Sequence, residues 1–112
     1  MEEFDVVIIG SGVAGMTAAI YTSRLGLKTR VIENLIPGGQ IINVEKIEDF
    51  PGFPQGISGA ELTDLIKTQA QINGSEFVMS EISEISKKED VWTIQSSVSK
   101  VITKTIIIAA GS

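Results

Sequence analysis

The sequence predicts an α/β fold built on a central parallel sheet, on three observations. Residues 4–9 form a near-continuous apolar run that meets Gly10-Ser11-Gly12-Val13-Ala14-Gly15 and then a helical pattern. A second apolar run, 28–33, closes on an acid, Glu33. A third, 105–109, ends in Ala110-Gly111-Ser112. Continuous apolar runs suit strands buried on both faces, and strands alternating with helices imply βαβ units.

The elements follow in order. Strand one is 4–9. Residues 13 to about 25 read as a helix whose small residues, Ala14, Gly15, Ala18 and Ala19, let it approach a sheet closely, with Gly26 as its C-cap. Strand two is 28–33. Residues 34–57 form a long irregular segment that holds all three prolines (37, 51 and 54) and Gly38, Gly39, Gly52 and Gly56. A connection of that length inside a small domain points to function or disorder. Ser58-Gly59-Ala60-Glu61 is a capping box. The helix it opens carries Leu62, Leu65, Ile66 and Ala70 at helical spacing and ends near Asn73-Gly74. Glu76–Met79 is a short third strand. Weaker β segments follow at about 81–86, 90–96 and 99–104, where Trp92 and Ile94 alternate with Thr93 and Gln95 as in a half-exposed antiparallel meander. The run 105–109 is a last buried strand. The stop just past that strand leads us to expect a segment of a longer protein. Met16 and Met79 read as core filler, and Trp92 as a meander packing residue.

Composition bounds the chemistry. With 112 residues the chain is at most one small domain. A net charge of −5, with nine scattered Lys and Arg, argues against a nucleic-acid partner. Lys87-Lys88-Glu89-Asp90 reads as a solvated turn. There is no Cys and no His, so a zinc or iron–sulfur site, or a Cys or His nucleophile or base, is not expected. The lack of Cys is compatible with a cytoplasmic protein. The acidic start, Met1-Glu2-Glu3, is unlike a signal peptide, and no apolar run approaches membrane-spanning length.

The strand, Gly-rich turn, helix, strand and acid form the arrangement that binds the ADP half of a dinucleotide. Gly10 permits the tight turn, Gly12 lets a pyrophosphate approach the backbone, and Gly15 lets the helix pack on the strand. The helix start offers unpaired N–H groups and a positive dipole end. Glu33 lies at the spacing of a carboxylate that accepts from ribose hydroxyls. No acid, base or nucleophile in the chain reads as catalytic. Glu45, Glu48 and Asp49 sit in a loop with only Lys46 as a basic neighbour.

These residues, with Thr17-Ala18-Ala19-Ile20-Tyr21, Gly38-Gly39-Gln40, Ile47-Glu48-Asp49-Phe50-Pro51-Gly52-Phe53-Pro54, Gly56-Ile57-Ser58-Gly59 and Ile106-Ile107-Ile108-Ala109-Ala110-Gly111, resemble the N-terminal part of the FAD domain of low-molecular-weight thioredoxin reductases. The resemblance runs nearly end to end. It implies a Rossmann-like FAD/NAD(P)-binding fold, with flanking helices and a small antiparallel meander, and residues 1–112 as the N-terminal segment of that domain. It implies FAD as cofactor, NAD(P)H as electron donor to the full-length protein, a redox partner such as thioredoxin, and a homodimer. By matching position, backbone N–H groups of Ser11, Gly12, Val13 and Ala14 would hold the pyrophosphate and Glu33 the adenosine ribose. Leu35 and Ile36 would pass the adenosine end. Gly39 and Gln40 would lie near the ribityl chain and flavin, and Ile82 would meet the adenine through its backbone. Ala110 and Gly111 would pass close to the cofactor. Asp49 departs from the pattern, standing where the family usually has an Asn beside the isoalloxazine. A carboxylate accepts only, whereas an amide also donates. Asp49 either sets its charge near the flavin or points to solvent.

No Cys follows strand two, which disfavours the subgroup resembling glutathione reductase. Relatives resembling ferredoxin–NADP reductases, which lack a CxxC, stay open. So do a non-catalytic dinucleotide module and an NAD-only dehydrogenase, although the long Gly-Gly-Gln loop argues against the last.

Overall fold

The computed structural model describes residues 1–33 and 39–111. The elements are β1 (Glu2–Ile9), α1 (Val13–Arg24), β2 (Thr29–Glu33), a 3-10 turn (Gly39–Asn43), α2 (Gly59–Ile72), β3 (Glu76–Met79), β4 (Ile82–Lys88), β5 (Val91–Ser96) and β6 (Lys100–Ile108). Among the described residues, six strands form one sheet in the order β3-β2-β1-β6-β5-β4. β3, β2, β1 and β6 run parallel, and β5 and β4 are antiparallel additions.

Both helices lie on one face of the parallel part. Met16, Ala19 and Ile20 of α1 and Leu62, Ile66 and Ala70 of α2 pack with Val6, Ile8 and Val31 of the sheet. Each helix ends in the same way. Gly26 and Gly74 take φ of +82° and +110°. The paired bonds Leu27 N–H to Thr22 O and Gly26 N–H to Ser23 O close α1, and Ser75 N–H to Ala70 O and Gly74 N–H to Gln71 O close α2. This is the Schellman pattern, which satisfies the last carbonyls of a helix. The two C-terminal ends meet through a buried bond between the Ser23 and Ser75 hydroxyls, 2.6 Å long.

The other face is closed by the sheet itself. β3 and β4 lie at opposite edges, five strand spacings apart. A flat sheet would separate them by about 24 Å. Yet only Ser80 and Glu81 join them, and three Cα steps span at most about 11 Å. The antiparallel arm must therefore fold back across the face opposite the helices. Ile94 of β5 accordingly packs with Phe4, Val7, Ile32 and Val101 in a second core cluster, and Ile82 borders it. The bonds Ser80 N–H to Glu33 O and Ser97 N–H to Glu81 O hold the short link. Phe4 and Val7 share this cluster whereas Val6 faces the helices, so β1 steps by one residue at Asp5. There the N–H groups of Asp5 and Val6 both donate to Lys28 O.

Three expectations need correction. The segments 99–104 and 105–109 are one strand, β6, because β1 pairs with it from Val101 to Ile108 in the same register on both sides of Asp5. Only its first residues, 100–103, also pair with β5, which makes the two halves read differently. Its end is less buried than expected, with Ile108 66% exposed. Met79 is also exposed, because it closes the edge strand β3, whereas Met16 is fully buried. The described part of the long segment, 39–57, is largely irregular as expected and is pinned at two points. A 3-10 turn opens it, and Ile47 and Ile57 form an antiparallel bridge with reciprocal N–H to O bonds. A Cβ on Gly59 would lie 1.6 Å from Ile41 O, so α2 begins in backbone contact with that turn.

Ser58 caps α2 as expected: its Oγ accepts from Glu61 N–H at 3.1 Å, while the Glu61 carboxylate returns to accept from the Ser58 hydroxyl at 3.2 Å. Trp92 lies opposite Thr103, which is level with Phe4, at the far end of β1 from Gly10. Among the described residues, no helix is long and apolar enough to cross a membrane.

Leu62 is 1% exposed at the centre of the helical core, and Ile72 is 79% exposed on the same helix. Leu62→Ala should destabilise the fold by about 2–5 kcal/mol. Ile72→Ala should stay within about 0.5 kcal/mol of the parent. Urea unfolding midpoints would check both.

Candidate dinucleotide site

The parallel strands all end at one rim of the sheet, where ligands of open α/β sheets bind. Ile9 sits beside Ile32 on one side and Ile108 on the other, and Glu33 sits beside Met79. Gly10, Glu33, Ser80 and Ala109 are therefore neighbours at that rim. Their backbones are tied: Gly10 N–H donates to Ile32 O, Ala109 N–H to Ile9 O and Ser80 N–H to Glu33 O, at 2.8–2.9 Å.

The three glycines of the turn do three different jobs. Gly10 takes a φ of +110°, and a Cβ there would lie 2.1 Å from Ala109 O. A Cβ on Gly15 would lie 2.0 Å from Gly10 O. Both are sites of backbone-to-backbone contact that only glycine permits. Gly12 is the exception, because a Cβ there would meet nothing within 4 Å. Nothing in the fold demands a glycine at that position, whereas a ligand pressed against the backbone would. Gly12 is the N-cap of α1 in extended conformation, without a side-chain cap bond. Beside it Val13 is half-buried and Ala14 exposed. The first N–H groups of α1 have no carbonyl of their own helix to bond and are available to an anion.

Glu33 is turned onto this loop. Its Oε2 accepts from Ser11 N–H at 2.9 Å, and Ser11 Oγ lies 3.4 Å from the same oxygen. Ser11 is fully buried. The carboxylate is thus fixed at the mouth of the turn by the turn itself.

The remaining residues singled out in the sequence fall at graded distances from this frame. A Cβ on Gly10 would lie 3.0 Å from the Ala110 Cα, so Ala110 is at the rim. Gly111 follows it, exposed and with a φ of +77°. Ile82 lies two residues beyond the bond from Ser80 to Glu33 O and borders the second core cluster. Gly39 and Gln40 open the 3-10 turn against which α2 begins. Asp49 is exposed, next to Phe50, which packs against the helical core. Leu35 and Ile36 lie outside the described residues. Two members of the frame were not picked out from the sequence, Ser80 and Ala109. Both act through the backbone, and a residue type carries no signal of a backbone bond.

This geometry is accompanied by likeness to known proteins. Residues 4–112 match the family described as pyridine nucleotide-disulphide oxidoreductase. The chain belongs to that family. It is 41% identical over 109 residues to the thioredoxin reductase of Bacillus subtilis, covering 97% of this chain and 34% of that protein. It is 42% identical over 112 residues to NADPH-dependent thioredoxin reductase 3 of Arabidopsis thaliana, covering 96% of this chain and 21% of that one. Among solved structures, the thioredoxin reductase of Lactococcus lactis superposes with a TM-score of 0.90 at 42% identity, over 96% of this chain and 35% of that chain. The chain thus spans about a third or less of the length of these relatives. As a member of the pyridine nucleotide-disulphide oxidoreductase family, it carries the Gly-rich turn at the rim its sheet order dictates.

The glycine geometry separates folding from binding. Gly10→Ala should cost about 2 kcal/mol or more in stability, since it combines a strained φ with a backbone clash. Gly12→Ala should leave stability within about 0.5 kcal/mol. It should nevertheless weaken binding of an ADP-containing dinucleotide about tenfold or more, the scale of one charge-assisted hydrogen bond. Thermal melts and equilibrium titration of the two variants would check this.

Proposed function

We propose that residues 1–112 are the N-terminal segment of an FAD-binding domain, in a full-length oxidoreductase that passes electrons from NAD(P)H through flavin to a disulfide or protein acceptor such as thioredoxin. The observation that carries the reading is the empty space beside Gly12 at the start of α1, with the Glu33 carboxylate held by the preceding residue, Ser11. A Cβ would intrude where a pyrophosphate must approach, and the turn has none. The residues present therefore fit the ADP half of FAD. The family membership and the thioredoxin reductase relatives support the rest of the reading. The absence of Cys in 34–57 disfavours the subgroup resembling glutathione reductase and says nothing against a redox disulfide elsewhere in the full-length protein.

The flavin supplies the redox chemistry when bound. The chain supplies placement. N–H groups of Gly12, Val13 and Ala14 would hold the pyrophosphate, whereas that of Ser11, expected to join them, is bonded to Glu33 Oε2. Glu33 would accept from the adenosine ribose and Ile82 would meet the adenine through its backbone; by the family pattern alone, Leu35 and Ile36 would pass the adenosine end. Gly39 and Gln40 lie beside the ribityl chain, with Ala110 and Gly111 passing close to the cofactor. A homodimer and a cytoplasmic location belong to the same reading.

The visible spectrum of the purified full-length protein tests it. Flavin bands that bleach when NADPH is added without oxygen are expected. A colourless protein that takes up no added FAD would overturn the assignment and leave a nicotinamide or non-catalytic dinucleotide site.

Asp49 yields a second test. A carboxylate beside the flavin opposes formation of the anionic reduced form, so Asp49→Asn should raise the flavin midpoint potential. An unchanged potential in a spectroelectrochemical titration would mean that Asp49 faces solvent in the holoprotein.

A further inference from the structure

We propose that Ser11 is a positioning residue for Glu33, fixing the carboxylate for a pair of ribose hydroxyls, and that it is not a phosphate ligand. This rests on the reading of the rim as an FAD site and divides the labour within it. The Gly-rich turn must serve two anions, a carboxylate of the protein and a pyrophosphate of the ligand, which repel each other. The structure shows which donors go to which. Ser11 N–H is spent on Glu33 Oε2 at 2.9 Å. Its hydroxyl reaches the same oxygen at 3.4 Å and, being fully buried, is not presented to the open side of the turn. One residue on, the geometry reverses. Gly12 faces open space, and the unpaired N–H groups of the α1 start follow it. The two donor sets belong to different residues, so the carboxylate is held and partly neutralised without taking a helix donor from the phosphate. The backbone of Glu33 is fixed as well, because its carbonyl accepts from Ser80 N–H at 2.8 Å. Clamped at both ends, the carboxylate has little rotamer freedom left to lose when a ribose arrives.

The test is a comparison of two ligands on the full-length apoprotein: FAD, and an FAD analogue lacking both hydroxyls of the adenosine ribose. Ser11→Ala should weaken FAD about three- to tenfold, the loss of one weak bond to a charged acceptor. It should leave the analogue within about twofold, because the analogue makes no demand on Glu33. In a Glu33→Gln background, Ser11→Ala should add no further loss, since both changes remove one coupled unit. Equal weakening of both ligands by Ser11→Ala would mean that the hydroxyl serves the phosphate or the fold, and would overturn the proposal. So would no change for either. Should Ser11→Ala fail to fold, Ser11→Cys, which keeps a weak donor of similar size, is expected to show the same selective loss for FAD, and its absence would count equally against the proposal. If the parent protein binds neither ligand, the FAD reading falls and takes this proposal with it. Binding of FAD by the parent without ligand selectivity in the variants sinks only the positioning role.

Discussion

The rest of the structure hangs on a stack of three backbones at the end of β1. Gly15 of α1 rests against the carbonyl of Gly10, and Gly10 rests against the carbonyl of Ala109, at separations that leave no room for a Cβ. This contact brings the helix start, the turn and the end of β6 into one plane of approach. It explains why α1 can lie flat on the sheet with Met16 and Ala19 fully buried. It also puts the unpaired N–H groups of the helix beside the strand ends. The contact at Gly10 that stabilises the fold and the open position at Gly12 in the candidate site are thus two residues apart.

Closure of the sheet follows from a separate constraint, the length of a link. Two residues between β3 and β4 cannot cross a flat six-stranded sheet, so the antiparallel arm folds over the face that the helices leave bare. This gives the parallel strands their second cover and explains why they are apolar on both sides with helices on only one. The same link passes the rim, where Ser80 bonds the carbonyl of Glu33. The fold-over thereby stiffens the acidic residue of the site from behind.

Most of the parallel half was legible in the sequence, because its signals are local. Continuous apolar runs, a Gly-rich turn, a capping box and glycines past helix ends each report on a few neighbouring residues. What was misread depends on partners distant in sequence. β6 reads as two segments because its first residues have strands on both sides and its last residues have β1 alone. Met79 reads as core because its own sequence is apolar, yet its exposure is set by standing at a sheet edge. The loop 39–57 reads as irregular and largely is, while the contacts that pin it, the bridge of Ile47 with Ile57 and α2 docking on the 3-10 turn, carry no local signal. For the candidate site, the meeting of Gly10, Gly12, Gly15 and Glu33 at the rim was readable by spacing. The bond from Ser11 to Glu33 was not, since a backbone N–H looks the same in every residue.

The polarity of parallel strands finally sorts the chemistry between the two ends of the sheet. At the start of the strands, Arg30 lies 3.0 Å from Glu2 and 3.6 Å from Glu76, and with Lys28 it flanks the ring of Phe4. That end is crowded with charge and packed as structure. Arg30 is nearly buried there and its charge is matched by two half-exposed carboxylates, a pairing that fixes strand register rather than greets a ligand. At the strand ends the side chains are mostly small, the donors are backbone N–H groups, and Glu33 is the charge turned onto the Gly-rich loop. A surface of this kind can hold an anion and a ribose in fixed relation through backbone donors and the Glu33 carboxylate, as the proposed site requires.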